Sequence, residues 1–362
     1  MKEKVGIGVI GTGFGRKVQI PAFLACENAE IISIASGAIE NARIAAEDSG
    51  AGHFTADWHE TAAHPAVDLV CITTPPVLHR EMTSFSIGQG KHVLCEKPMA
   101  MTLAEAADMT AAAEGNDLLA IIDHELRFQP GRHLARQMLQ EGAIGKVRHS
   151  KAVFRSGHRS DPHLPWNWWS DASQGGGALG AINSHIIDSF NWFLDADISS
   201  VFCQLRTHIK ERQDRAGVVH PVTSDDEANM IVRFSDGDVT SDATGIVSVS
   251  MVEGPDYQNR VEFYGTEGAM RVDQRGELFI AKAGEDAWTE IPVDTGRLLP
   301  GMPDTGFARG FVELAPRLVE TIQRGKTDIA RAATFSDGLR VQKVLDAARE
   351  SDAAGKVVNI LG

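Results

Sequence analysis

The sequence predicts a doubly wound, parallel α/β domain followed by an α+β domain built on a large, mainly antiparallel open sheet. Three observations predict it. Short apolar, β-branched runs alternate with helical patterns through the first third of the chain. After Pro130 the alternation stops and strands follow one another through Asp-Gly and Glu-Gly turns. The length, 362 residues, is more than one ordinary domain needs.

In the first domain, the runs Val5 to Ile10, Ile31 to Ala35, Leu69 to Thr73, His92 to Cys95 and Leu118 to Ile122 read as strands buried on both faces. Between them Ala38 to Asp48, Leu78 to Gln89 and Leu103 to Glu114 carry Ala, Glu and Leu at helical spacing, with Thr102 as N-cap and Glu105 completing a capping box. The boundary is expected near Asp123, giving a first domain over residues 1–123 and a second over 124–362. The second opens with a helix, Arg132 to Glu141, a strand, Lys146 to Phe154, and a glycine-opened helix, Gly177 to Phe193. Ser199 to Thr207, Glu227 to Phe234, Asp238 to Val249, Asn259 to Tyr264 and Ala269 to Asp273 supply its sheet. Phe307 to Arg324 and Gly338 to Ser351 are amphipathic helices expected to pack back on the first domain.

Composition narrows the function. Thirty-five basic against 49 acidic residues give a net charge of -14, which repels nucleic acid and anionic membrane surfaces. A phosphorylated cofactor is still allowed, because a ligand at close range feels the local field. Cys26, Cys71, Cys95 and Cys203 show neither metal-ligand spacing nor a disulfide framework, and the N-terminus runs into its first strand without a signal-type apolar region. No stretch of 18 apolar residues occurs. A soluble, cytoplasmic protein is expected, and the scattered histidines predict no metal site.

Gly11-Thr12-Gly13-Phe14-Gly15 follows the first strand and opens a helix, where glycines let backbone N–H groups approach a pyrophosphate. The spelling is incomplete, since Arg16 stands where a final glycine is usual, and an ordinary glycine turn remains the alternative. After the second strand, Ser36-Gly37 replaces the carboxylate that usually receives the ribose hydroxyls of NAD; Ser36 with Arg43 can instead receive a 2′-phosphate, which points toward NADP over NAD. Arg43 reads equally as a solvated helix charge. Thr73-Thr74-Pro75, with His79, stands at the carboxyl end of the third expected strand and can line the nicotinamide half of the cofactor, or simply form a proline-rich turn. Glu96-Lys97-Pro98 ends the next strand at the same sheet edge, where the Lys97 ammonium can stabilise a developing alkoxide; by itself the tripeptide is also a plain surface turn.

Together these motifs resemble the Gfo/Idh/MocA oxidoreductases, the glucose–fructose oxidoreductase and inositol dehydrogenase group. The resemblance spans the chain through Gly-Thr-Gly-Phe-Gly, Thr-Pro-Pro-x-x-His, Glu96-Lys97-Pro98, His124-Glu125-Leu126-Arg127-Phe128 and Gly175-Gly176-Gly177-Ala178-Leu179 followed by His185 and Asp188. It implies a Rossmann domain, a sheet domain that assembles homodimers or homotetramers, and NAD(P)-linked oxidation or reduction of sugars, cyclitols or similar small molecules. It matches Lys97 to the family's active-site lysine and His185 to its acid/base histidine. This chain departs from the pattern at Ala181, where many members carry aspartate, and at Asn183, where glycine is common; Asp188, three residues after His185, can share its helix face. Read without the resemblance, His185 is either a core histidine or an acid/base group. Arg127, Trp166, Trp168, Asn183 and Asp188 are substrate candidates, with a structural ion pair the alternative for Arg127 and loop anchoring the alternative for the tryptophans. Two other functions fit the same sequence: a dinucleotide- and sugar-sensing regulator with little turnover, and a reductase of a non-sugar substrate of the dihydrodiol or bilin type.

Overall fold

The computed structural model describes residues 3–360. The chain divides into two compact units, one formed by Met1–Gln129 with Gly296–Leu339, the other by Pro130–Thr295 with Arg340–Gly362.

In the first unit, β1 (Val5–Ile10), β2 (Ala29–Ala35), β3 (His53–Thr55), β4 (Leu69–Ile72), β5 (His92–Cys95) and β6 (Ala120–Ile122) pair in parallel in the order β6-β5-β4-β1-β2-β3. The order reverses between β1 and β4, the switch point at which open α/β sheets bind ligands. The short strand Ala333–Thr334 adds antiparallel to β6 and completes seven strands among the described residues. Apolar runs make strands here because both faces are covered: Val5, Ile7 and Val9 have no exposed surface. Each such side chain contributes about 1.5–3 kcal/mol on burial. The helix Gly306–Gln323 belongs to this unit, where Phe311 meets Phe23 edge-on at 5.6 Å.

Strand β3 and the helix Trp58–Ala63 were not expected from the sequence. Three residues are too few to show a period, although the Asp57 carboxylate accepts the His59 backbone N–H at 3.0 Å in a regular N-cap. Thr102 caps its helix as expected, accepting the Glu105 N–H at 3.2 Å, but Glu105 reaches back to the N–H of Met101 rather than to that of the cap.

The second unit carries a nine-stranded sheet among the described residues. Val147–Arg155 lies parallel to Thr240–Ser250 and antiparallel to Gln258–Gly265, and the remaining neighbours are antiparallel. One face is covered by the wholly buried helix Ser184–Leu194, whose Phe190 and Phe193 meet Phe263 at 6.4 and 5.1 Å. The other face exposes Phe202, Ile231 and Ile246 side by side on three neighbouring strands. The strands Leu278–Lys282 and Thr289–Ile291 and the small hairpin of Glu211–Gln213 with Val219–Pro221 escaped the sequence reading, again because they are short. The glycine-opened helix is two segments: a π turn, Leu179–Asn183, and then the α-helix.

Candidate active site

The loop after β1 is a glycine cradle by construction. Gly11 has φ +105°, and a Cβ there would lie 2.5 Å from the Thr73 carbonyl oxygen, so only glycine lets β1 and β4 close at this point. Gly13 faces open space, with nothing within 4 Å of its missing Cβ, which leaves its backbone accessible to a phosphate. A Cβ on Gly15 would meet Thr73 Oγ1 at 2.8 Å. Thr73 locks the two loops by donating its hydroxyl to the Ile10 and Gly11 carbonyls, at 3.1 and 2.9 Å. The chain then continues into a π turn, Gly15–Gln19. These features fit a dinucleotide pyrophosphate.

Thr12 shares a 3.3 Å hydroxyl contact with Ser36 and so joins the β1 and β2 loops. Phe14, expected against the cofactor, packs edge-on to Phe311 at 6.4 Å and is part of the core packing. Gly37 is exposed. Arg43 is bracketed by Glu40 and Glu47, one a turn before it and one a turn after, and these two carboxylates hold its guanidinium firmly charged and already neutralised.

At the next strand ends, His79 is fully buried with Nδ1 3.0 Å from the Pro98 carbonyl and Nε2 2.9 Å from the Thr74 carbonyl. Expected among the cofactor contacts, it serves instead as a brace between the β4 and β5 loops. Burial lowers its pKa, against the pull of those carbonyls. Pro75 begins the turn between Thr74 and His79, and Lys97–Pro98 is a cis peptide. Lys97 is half-buried at the end of β5. Beside it Glu96, 9% exposed, and Asp123, fully buried, both accept from Gln19 Nε2, at 3.2 and 2.9 Å. Burial pushes both carboxyls upward in pKa.

Arg127, a substrate candidate in the sequence, is 6% exposed and has Nη1 3.4–3.5 Å from the Arg331 and Ala332 carbonyls and 3.5 Å from the Asp337 carboxylate, all within the first unit. These contacts fit the alternative reading of a structural anchor.

In the second unit, the triple-glycine run sets the entry to the helix. Gly177 has φ +116°, and a Cβ would strike Asp225 Oδ1 at 2.4 Å. Asp225 Oδ2 accepts the Leu179 N–H at 2.7 Å, and burial pushes this carboxyl up to about 6. The π turn that follows presents Asn183 with no exposed surface and with neither amide atom hydrogen-bonded, and the neighbouring Ser184 hydroxyl is in the same state. His185 and Asp188 are 3% and 2% exposed on the first turns of the helix. π turns of this kind are often found at functional sites. Trp166 donates its indole N–H to the Pro221 carbonyl at 3.1 Å and meets the His220 ring at a tilt, centroids 5.0 Å apart, which ties the loop to the small hairpin; Trp168 stays 36% exposed. No group of three or more His, Cys, Asp or Glu among the described residues is placed to hold a metal ion, and no helix among them is long and apolar enough to cross a membrane.

Residues 5–124 match the oxidoreductase family with an NAD-binding Rossmann fold, and residues 133–271 match the GFO/IDH/MocA C-terminal domain. An uncharacterised oxidoreductase of Synechocystis sp. is 32% identical over 266 residues, covering 73% of this chain and 70% of the relative. The chain belongs to the Gfo/Idh/MocA oxidoreductases. It is an NAD(P)-dependent oxidoreductase with a Rossmann domain and a mainly antiparallel sheet domain. Among other members of the family, levoglucosan dehydrogenase of Pseudarthrobacter phenanthrenivorans is 29% identical over 99% of this chain and 98% of its own. A levoglucosan dehydrogenase structure in complex with NADH and levoglucosan superposes with a TM-score of 0.87 at 28% identity, covering 99% of each chain.

Proposed function

We propose that this protein catalyses reversible hydride transfer between NAD(H) and a CH–OH centre of a sugar, anhydrosugar or cyclitol. The observation that carries the reading is the placement of Lys97 at the carboxyl end of β5, on the sheet edge whose first loop is the Gly11–Gly15 cradle. Gly11, Gly13 and Gly15 would hold the pyrophosphate, Ser36 and Gly37 the adenosine ribose, and Thr73, Thr74, Pro75, Glu96 and Pro98 the nicotinamide half. When bound, the nicotinamide ring supplies a hydride acceptor or donor. Lys97 Nζ steadies a substrate oxygen as it becomes alkoxide; His185 is the candidate acid/base group of the second unit. Asn183 and Asp188 orient neighbouring hydroxyls, and Trp168 offers an exposed ring for a sugar face.

NAD is the preferred form in this reading. The sequence alone pointed toward NADP through Arg43, but a guanidinium already neutralised by Glu40 and Glu47 has little left for a 2′-phosphate. The relative's complex with NADH supports the same choice. The levoglucosan complex of that relative supports sugar-like substrates over dihydrodiols or bilins. We also assign the Phe202, Ile231 and Ile246 face to a homodimer or homotetramer contact, and the free thiols Cys26, Cys71, Cys95 and Cys203 support a reducing, cytoplasmic setting.

The test is turnover of anhydrosugars, aldoses, polyols and inositols by the purified chain with NAD and with NADP. Steady NADH formation on at least one of them, with NAD preferred, is expected. Tight binding of a sugar without turnover would instead support the sensing role, and NADP preference would overturn the cofactor choice.

A further inference from the structure

Under the Lys97 turn lies a group of buried acids that the hydride chemistry does not use directly. Glu96 and Asp123 directly follow the paired positions Cys95 and Ile122 on the neighbouring strands β5 and β6, so adjacent parallel strands deliver their carboxyls to one spot. The backbone pins both: the Glu96 N–H donates to the Ile72 carbonyl at 3.0 Å and the Asp123 N–H to the Cys95 carbonyl at 2.8 Å. Gln19, on the π turn that follows the glycine cradle, is fully buried and reaches both carboxyls through one amide nitrogen. Donors are then short. Glu96 Oε2 has the Lys97 N–H at 3.3 Å, while Asp123 Oδ1 and Gln19 Oε1 are buried acceptors with no donor.

We propose that Glu96 and Asp123 share one proton, forming a singly charged carboxyl pair, clamped by Gln19, that fixes the position and counter-charge of Lys97; Asp123 is thus a positioning residue for the reaction. The inference rests on the reading of Lys97 as the catalytic lysine. A single proton supplies the donor the cluster lacks, and two ionised carboxylates this close, away from water, would repel each other strongly. The charged and titratable groups around the pair point the same way. Glu125 adds further negative charge beside Asp123, Lys97 is the neighbouring cation, and the thiols of Cys71 and Cys95 are held neutral by burial and by these same acids. Asp123 has its carboxyl driven up chiefly by burial, and Glu96 follows with Lys97 opposing. The shared proton removes one of the negative charges beside the Lys97 ammonium, with Glu125 the further acid near Asp123, and the link to Gln19 couples the lysine turn to the turn that follows the glycine cradle.

Two measurements on the full chain decide it. Infrared spectra of the wild type at about pH 8, above the range in which Asp225 titrates, should contain the carbonyl band of a neutral carboxylic acid, lost in both Asp123→Asn and Glu96→Gln. The pH profile of kcat should carry an alkaline transition as the pair loses its shared proton. In Asp123→Asn that transition should disappear or move by at least ~1 pH unit, with kcat down about 10-fold and substrate KM within about 3-fold. A purely structural Asp123 would lower stability and leave the profile in place. Absence of the band from the wild type overturns the proposal even if neither variant folds, and so does a folded Asp123→Asn with the wild-type profile. Should the band be missing while Lys97→Ala is inactive, only the shared proton fails. Should Lys97→Ala turn over normally, the lysine's assignment fails whatever the band shows.

Discussion

The strand ends of the first unit and the helix entry of the second differ in how far their buried side chains are hydrogen-bonded. Around β1, β4 and β5, Thr73, His79 and Gln19 reach backbone carbonyls or carboxyls, so the loops are braced before any ligand arrives. At the π turn of the second unit, Asn183 and Ser184 are buried with unmade hydrogen bonds, each a cost of about 1–3 kcal/mol to the fold. The first region is braced by these bonds, with Asp123 Oδ1 and Gln19 Oε1 the buried acceptors that still lack a donor. The second leaves buried hydrogen-bonding atoms unpaired, which the proposed function assigns to a hydroxyl-rich substrate.

The largest effect should come from the scaffolded side. Lys97→Ala should lower kcat/KM by ~10³-fold, about 4 kcal/mol of transition-state stabilisation, while leaving the thermal midpoint near that of the wild type. A variant within a few-fold of wild-type turnover would remove the lysine from the chemistry.

Next in size is a pH effect on the second unit. Burial raises Asp225 from 3.8 to about 6, so the folded chain keeps a proton that the unfolded chain gives up first. The associated stabilisation is complete below about 3.8 and gone once the pH has risen past about 6. Denaturant unfolding should show wild-type stability falling by up to ~3 kcal/mol across that window, and Asp225→Asn, which keeps an oxygen for the Leu179 N–H, should remove the slope. An unchanged slope would show that the cap is solvated.

Gly11→Ala should cost ~1–3 kcal/mol of stability through its left-handed backbone and the contact with Thr73, and should weaken NADH binding measured by fluorescence. The smallest effect should be the most telling for the comparison. Asn183→Ala should raise substrate KM about 10-fold with stability unchanged or slightly improved, because it deletes amide atoms that the fold leaves unpaired. A loss of stability with unaltered KM would make Asn183 a core residue.

Sequence patterns exposed the first region far better than the second. Strand β5 and its Lys97 turn were legible because the apolar run Val93-Leu94-Cys95 followed by Glu-Lys-Pro has few other readings once the glycine loop is in place. The local pairing of Arg43 is legible in the sequence, since Glu40 and Glu47 stand at helical spacing from it. The roles of His79 and Arg127 could not, because each depends on carbonyls contributed by distant segments, Pro98 in one case and Arg331 and Ala332 in the other. Nor does any sequence signal mark Asn183 as buried and unsatisfied, or the π turn that carries it. Gln19 and Asp123 were likewise silent: a helix glutamine and a strand-end aspartate acquire meaning only through register between β5 and β6.

The proposed function gives both Lys97 and His185 a part in the same proton and hydride transfer. A double-mutant cycle measures that directly, with kcat/KM determined for wild type, Lys97→Ala, His185→Ala and the double variant on the same sugar substrate. Strong non-additivity is expected, the double variant falling little below the worse single one, as for groups that serve a single transition state. Losses that simply multiply would mean that the two residues do separate work, and would contradict that assignment.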